Sequence, residues 1–199
     1  MPEIVSDIIV TGAKIYYAPT GTTQPLASLA ANAAWLTPWV YLGYTLEPVK
    51  LGYKFKTLDI MVQQTMNAVS RFRISEELKF ESTLAQHSAD LLALALAGAA
   101  VQTAAVTGVP GYEDFYVGGD ADLPVKMWGI DGSYVDEDNM RFPIRAIIWR
   151  ATAAEGGELE YDREKPAGVP LQIKALADTS QTVGRHLIRI TRVLEPALP

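Results

Sequence analysis

Cysteine is absent from the 199 residues, which excludes a disulfide framework, a thiolate metal site and a cysteine nucleophile. Histidine is nearly absent too. His87 and His186 are the only two, too far apart in sequence to read as a local motif, and lone histidines of this kind are more often structural than catalytic. No long hydrophobic run is present either. The longest, "LLALALAGAAV" at 91–101, is well short of the roughly 20 residues that span a bilayer. The first ten residues, "MPEIVSDIIV", lack the basic region and apolar core of a signal peptide. These absences predict a soluble chain made in a cytoplasm, without a membrane partner.

Chemical motifs are missing as well. The glycine-containing stretches "GVPGYEDF" and "VGGDADLP" have neither the lysine nor the strand-to-helix setting of a phosphate loop. No Gly-x-Ser-x-Gly elbow occurs. Clustered base is scarce: the net charge is −6, which argues against grip on a phosphate backbone. Aromatic residues such as Tyr16, Tyr17, Phe72, Phe80, Phe142 and Trp149 fall in strand patterns, where core packing is their commoner use than base stacking. Between 111 and 140 eight acids face the single base Lys126. That segment reads as a solvated acidic, loop-rich insertion; a calcium loop at Asp131–Asn139 does not match EF-hand spacing.

What is present is patterning. The 49% hydrophobic share suffices for one cored domain over 1–199. "DIIVTGAKIYYAP" (7–19) reads as a first strand. A broken excursion at 20–38 follows, with Trp35 and Trp39 near its end. Residues 39–69 read as two extended segments with a turn between them. In 71–81 strict alternation places Phe72, Ile74, Glu76, Leu78 and Phe80 on one face, and Arg71, Arg73, Ser75, Glu77, Lys79 and Glu81 on the other. Thr83 and Gln86 form a capping box that opens a helix over about 83–97, stopped by Gly98. That helix is apolar on most sides and needs cover on more than one, which makes Leu91 and Leu94 subunit-interface candidates. Further strands are expected at 112–118, 124–130, 141–151, 157–163, 169–177 and 185–194. The fold class is mainly β: a sandwich or barrel with one flanking helix and long loops.

Glu76 is the one candidate for chemistry, because alternation sets it among apolar side chains where desolvation raises a carboxyl pKa. No second carboxylate is placed to work with it. The bland alternative is a bulge at Glu76–Glu77 or pairing with an arginine. The expectation is therefore no enzyme, no cofactor and no metal.

The order of features carries a resemblance. "AKIYYAP" leads to "WVYLGYTLEPVKL", then to strands ending "ELKFES" and the helix "TLAQHSADLLALAL". The later half holds "MRFPIRAIIWRATA" and "EYDREKPAGVPLQIKALAD". This order resembles the major tail tube proteins of long-tailed, siphovirus-like phages, which share a fold with type VI secretion tube proteins. The resemblance implies a homo-hexameric ring of β-sandwiches, stacked into a tube that carries DNA to the host. It also implies tail tip, tape-measure and tail terminator proteins as partners, and assembly in the host cytoplasm into the virion tail. DNA would pass without specific binding, so acids are expected at the bore: Glu158 and Glu160 first, with Glu77 and Glu81 as further lumen-facing candidates. The alternatives are another head-completion, terminator or decoration protein, or a β-barrel hydrolase using Glu76.

Overall fold

The computed structural model describes residues 12–31, 33–63, 67–119, 122–135, 140–159 and 167–194. Glu160, the rest of the strand expected to 163, the opening of the strand expected from 7 and Asp136–Asn139 of the considered calcium loop lie outside them. In chain order the elements are β1 (Lys14–Ala18), β2 (Val40–Tyr41), β3 (Lys50–Ile60), β4 (Ser70–Leu84) and α1 (Ala89–Ala95). Then come β5 (Ala99–Thr103), β6 (Tyr112–Tyr116), β7 (Lys126–Val135), β8 (Arg141–Ala153), β9 (Val169–Ala175) and β10 (Ile188–Arg192).

The main sheet runs β2-β1-β7-β8-β9-β4-β3, with β10 also on β8, and β5–β6 form a separate ribbon. All main-sheet pairings are antiparallel. The length of β8 decides the architecture. β7 pairs along one edge of it, while β10 takes residues 144–148 of the other edge and β9 takes 151–153. The sheet divides there into two layers that fold onto each other. Ile15, Trp128 and Ile148 from one layer meet Leu78, Phe80, Leu84, Val169, Leu171 and Ile173 from the other. Phe80 and Trp128 pack edge to face across the gap with centroids 5.2 Å apart. Among the described residues the fold is thus a mainly β sandwich with one helix, as the patterning predicts, and the sheet does not close into a barrel. The alternation read at 169–175 is realised: Val169, Leu171, Ile173 and Ala175 all point inward.

The outer side of β1–β7–β8 is covered by the 20–38 excursion. Trp35 stacks on Tyr16 at 4.4 Å and meets Trp39 edge-on, and the Trp39 indole N–H donates to Thr23 O at 2.9 Å. Gly129 lies beneath these rings, where any Cβ would run into Trp35. A buried ion pair anchors the same loop. Arg145 Nε donates to Asp131 Oδ1 at 3.0 Å, and its other nitrogens donate to the carbonyls of Leu26, Leu29 and Ala30.

The helix is present but begins later than the capping box suggests. Thr83 stays in the ladder opposite Pro170, and its carbonyl accepts from Leu46 N–H. The N-cap is Ser88, in extended conformation, whose side chain accepts from Leu91 N–H. Strand pairing outcompetes the Thr83 cap because β4 finds β9 beside it as far as Leu84. At the other end Gly98 N–H reaches Ala93 O, and Ala97 takes the left-handed turn, φ 51°, which glycine more often fills. The part of the strand expected at 157–163 that is described, 157–159, has no regular structure.

Candidate assembly surface

Among the described residues the β3–β4 hairpin is a long feature that the chain leaves uncovered. Eleven residue pairs join it, from Lys50–Glu81 to Ile60–Ser70, a ribbon about 36 Å long at ordinary strand rise. Only its root is buried: Leu78, Phe80, Ser82 and Leu84 reach the core, while every residue of β3 is exposed. β3 is also the edge of the sheet, so one row of its backbone groups is unpaired.

Side chains opposite one another share a face, and the register therefore sorts the ribbon. One face, continuous with the core, carries Leu51 beside Phe80, Tyr53 beside Leu78 and Phe55 beside Glu76. The other carries Lys50 with Glu81, Gly52 with Lys79 and Lys54 with Glu77. The register then shifts between Lys56 and Thr57, leaving Ile74 as the extra residue of a β-bulge. Beyond it the roles exchange. The core-side face now holds Thr57, Arg73, Asp59 and Arg71, and the formerly charged face holds Leu58, Phe72 and Ile60.

This corrects the strict alternation read from 71–81. Leu78 and Phe80 are buried, but Phe72 and Ile74 are 53% and 60% exposed, and Arg71 and Arg73 lie on the opposite face from Glu77 and Glu81. Within the protomer the burial contribution is thus that of two large side chains, about 3–6 kcal/mol.

Glu76 is exposed, and Arg73 Nη1 donates to its Oε1 at 2.6 Å. The Arg73 guanidinium lies 4.8 Å from the Phe55 ring centroid and also donates to the Tyr53 hydroxyl. The hydrogen bond from Arg73 holds the Glu76 carboxyl below its ordinary value, the reverse of what a general acid needs. Glu77 is held low in the same way by Lys79 and Lys174. Between the hairpin's core-side face and the β10 strand is an open groove of about 990 Å³, lined by Tyr53, Glu76, Leu78, Val183, His186 and Ile190 among others. Its lining is mostly apolar and includes Arg73 and Glu76.

The remaining sequence candidates are dispersed. Leu91 and Leu94 are half-buried and pack against the main core. His87 is exposed, its Nε2 within 2.8 Å of Ala167 O, and His186 lies apart from it in the groove. Asp131 of the considered calcium loop is buried against Arg145. Glu158 is exposed in the loop after β8. That loop rests on the charged side of the β4–β9 layer, since Glu155 meets Lys79 at 3.6 Å and Gly157 abuts Pro170. The bulge was the functional feature that sequence reasoning missed. Its only trace is an apolar Leu58–Ile60 spacing on β3 out of step with Leu51, Tyr53 and Phe55.

An uncovered ribbon with an open edge, ordered charge on one face and apolar cover missing from the other is suited to joining copies rather than to chemistry. A comparison with curated proteins found no match. A family model described as phage tail tube protein matches residues 4–189, nearly the whole length. The chain belongs to the phage tail tube protein family, and it is a structural protein of the virion tail.

Proposed function

We propose that copies of this chain close into hexameric rings through the β3–β4 hairpin, and that the stacked rings form the conduit for DNA ejection. The observation that carries this reading is the hairpin itself. Its core-side face continues the sandwich core into solvent through Leu51, Tyr53 and Phe55, and β3 offers an unpaired edge. An exposed edge of this length is an aggregation liability in a monomer and an assembly device in a ring. A neighbour that seats on the groove side covers those three side chains and extends the sheet. The number six is what the resemblance implies.

With that face covered, the charged face of β3, β4 and β9 turns to water, and we assign it to the bore. Glu77 and Glu81 then line the channel, interleaved with Lys50, Lys54, Lys56, Lys79 and Lys174; Glu158 joins them from its loop. Lys79 and Lys174 are paired with Glu77, so the lining is of mixed sign, with Lys50, Lys54 and Lys56 in a row along β3 beside the acids of β4. Tail tip, tape-measure and terminator proteins would meet the ends of the stack. α1 adds to the seam through the exposed portions of Leu91 and Leu94.

Negative-stain microscopy of purified protein tests the reading. Rings and tubes of uniform bore are expected, and Tyr53→Asp with Phe55→Asp should leave folded protomers that do not close. Wild-type protein that stays monomeric at every concentration, or normal tubes from that variant, would overturn it.

A further inference from the structure

Five of the chain's eight lysines lie on one face of three adjacent strands. β9, β4 and β3 run side by side. Their register sets Lys174 directly opposite Lys79, Lys79 opposite Gly52, Lys54 opposite Glu77, Lys56 opposite Ser75 and Lys50 opposite Glu81. Like charges placed across a ladder repel, so the Lys79–Lys174 pair is a local cost, and Glu77 offsets it. Its carboxylate lies 3.3 Å from one ammonium and 3.6 Å from the other. Lys54 and Lys56 beside it are exposed and form no ion pair among the described residues. The other acids near this face are Glu81, Glu155, which meets Lys79 at 3.6 Å, and Glu158 on the same loop. Five lysines thus meet four acids in a chain whose net charge is −6. Gly52 has no side chain, and a shallow dent of about 170 Å³ over it is lined by Lys50, Lys54 and Lys79 together with Glu77 and Glu81.

We infer that this cluster is a phosphodiester site, where Lys54, Lys56, Lys79 and Lys174 meet successive phosphates of a DNA backbone, weakly and without regard to sequence. The inference rests on the ring reading above, which brings DNA to this face. The shape favours a polymer over a single ion. Three strands make the patch roughly 10 Å wide, and one nucleic-acid strand carries a charge about every 3.4 Å of axis, so about three phosphates face it at once. The face carries no aromatic side chain from Lys50 to Lys56 or from Ser75 to Glu81 on which a base could stack, which leaves the backbone as the part recognised. The net charge of the chain governs its long-range field, whereas contact is decided by the charges within a Debye length. Glu77 sets the strength of the site: by engaging two of the four lysines it keeps the grip weak, as a wall that DNA must leave behind requires.

Anisotropy of a short labelled DNA duplex, titrated with protomers at low salt and followed as salt rises, tests the site. The slope of log K against log salt is expected to be about −3, for three phosphates. Lys54→Gln with Lys56→Gln, both exposed, should reduce it to about −1, and Glu77→Gln, which frees Lys79 and Lys174, should raise the affinity. Acetylation of amines read by mass spectrometry should show Lys54, Lys56, Lys79 and Lys174 shielded by the duplex, and Lys14 and Lys126 unchanged, in protomers and in open tubes alike. A duplex that does not bind at low salt, binding that these variants leave unaltered, or shielding of Lys14 and Lys126 instead would overturn the inference while leaving ring formation intact. Polyglutamate displacing nothing is expected; polyglutamate that shields the same four lysines as well as DNA does would assign the cluster to an acidic protein segment and overturn it too. Failure of the ring reading has a different signature: protomers that bind the duplex as described and never assemble.

Discussion

Replacing Arg145 by methionine tests how the loop that covers β1–β7–β8 is held. The side chain is 4% exposed and Asp131 is 1% exposed, so the pair is screened by protein rather than by water. Methionine keeps much of the volume and removes five donors. Asp131 is then left as a buried carboxylate with only Lys14, its partner in the β1–β7 ladder, to offset its charge, and the carbonyls of Leu26, Leu29 and Ala30 lose the Arg145 donor. Breaking one side of such a pair costs about 3–5 kcal/mol. Because the pair itself must offset the desolvation of both charges, the double variant Arg145→Met, Asp131→Leu should recover most of that loss. Urea unfolding at pH 7, at a concentration too low for assembly, reads both values without linkage to association. The pH dependence supplies a second, independent check. Burial pushes the Asp131 carboxyl above its ordinary 3.8, against the opposing pull of Arg145. The folded state therefore holds this proton more firmly than the unfolded state does, and this group's contribution is fully present below pH 3.8. It is lost as pH rises through the folded value. Asp131→Asn should remove that slope, seen as the difference between variant and wild-type stability across the acid range. A cost below about 1 kcal/mol for Arg145→Met, the level of an exposed pair, would refute this account. So would a double variant no more stable than the single one.

Ala97→Gly should raise stability by about 1 kcal/mol in thermal unfolding, since alanine there occupies a left-handed conformation that costs a Cβ. Ser88→Ala should cost about 1 kcal/mol by loss of the N-cap to Leu91, measured in the same way. Glu76→Gln should leave melting and tube formation nearly unchanged because its pair with Arg73 is solvent-exposed; loss of a hydrolytic activity with assembly intact would restore the enzyme reading. Lys54→Glu with Lys56→Glu should still permit tubes but make DNA ejection less dependent on salt, and unaltered ejection across ionic strengths would remove this face from the bore.

The periodicities of the chain determined much of this protein. Val169, Leu171, Ile173 and Ala175 read as an inward row because a strand's side chains alternate whatever lies beside them. The helix and the excursion at 20–38 with its tryptophans were legible for similarly local reasons. The helix start was not, because Thr83 had two competing uses: a cap, visible in four residues, or a ladder position opposite Pro170, visible only once β9 arrives from far along the chain. The bulge was hidden for a related reason. It is a mismatch of count between β3 and β4, so β4 alone shows an unbroken alternation while the pairing turns Phe72 away from Phe80. Asp131 read as one more surface acid until Arg145, fourteen residues on, was folded against it. Strand, helix and loop follow from neighbours in sequence; register, burial of charge and the direction in which an apolar residue faces follow from neighbours in space.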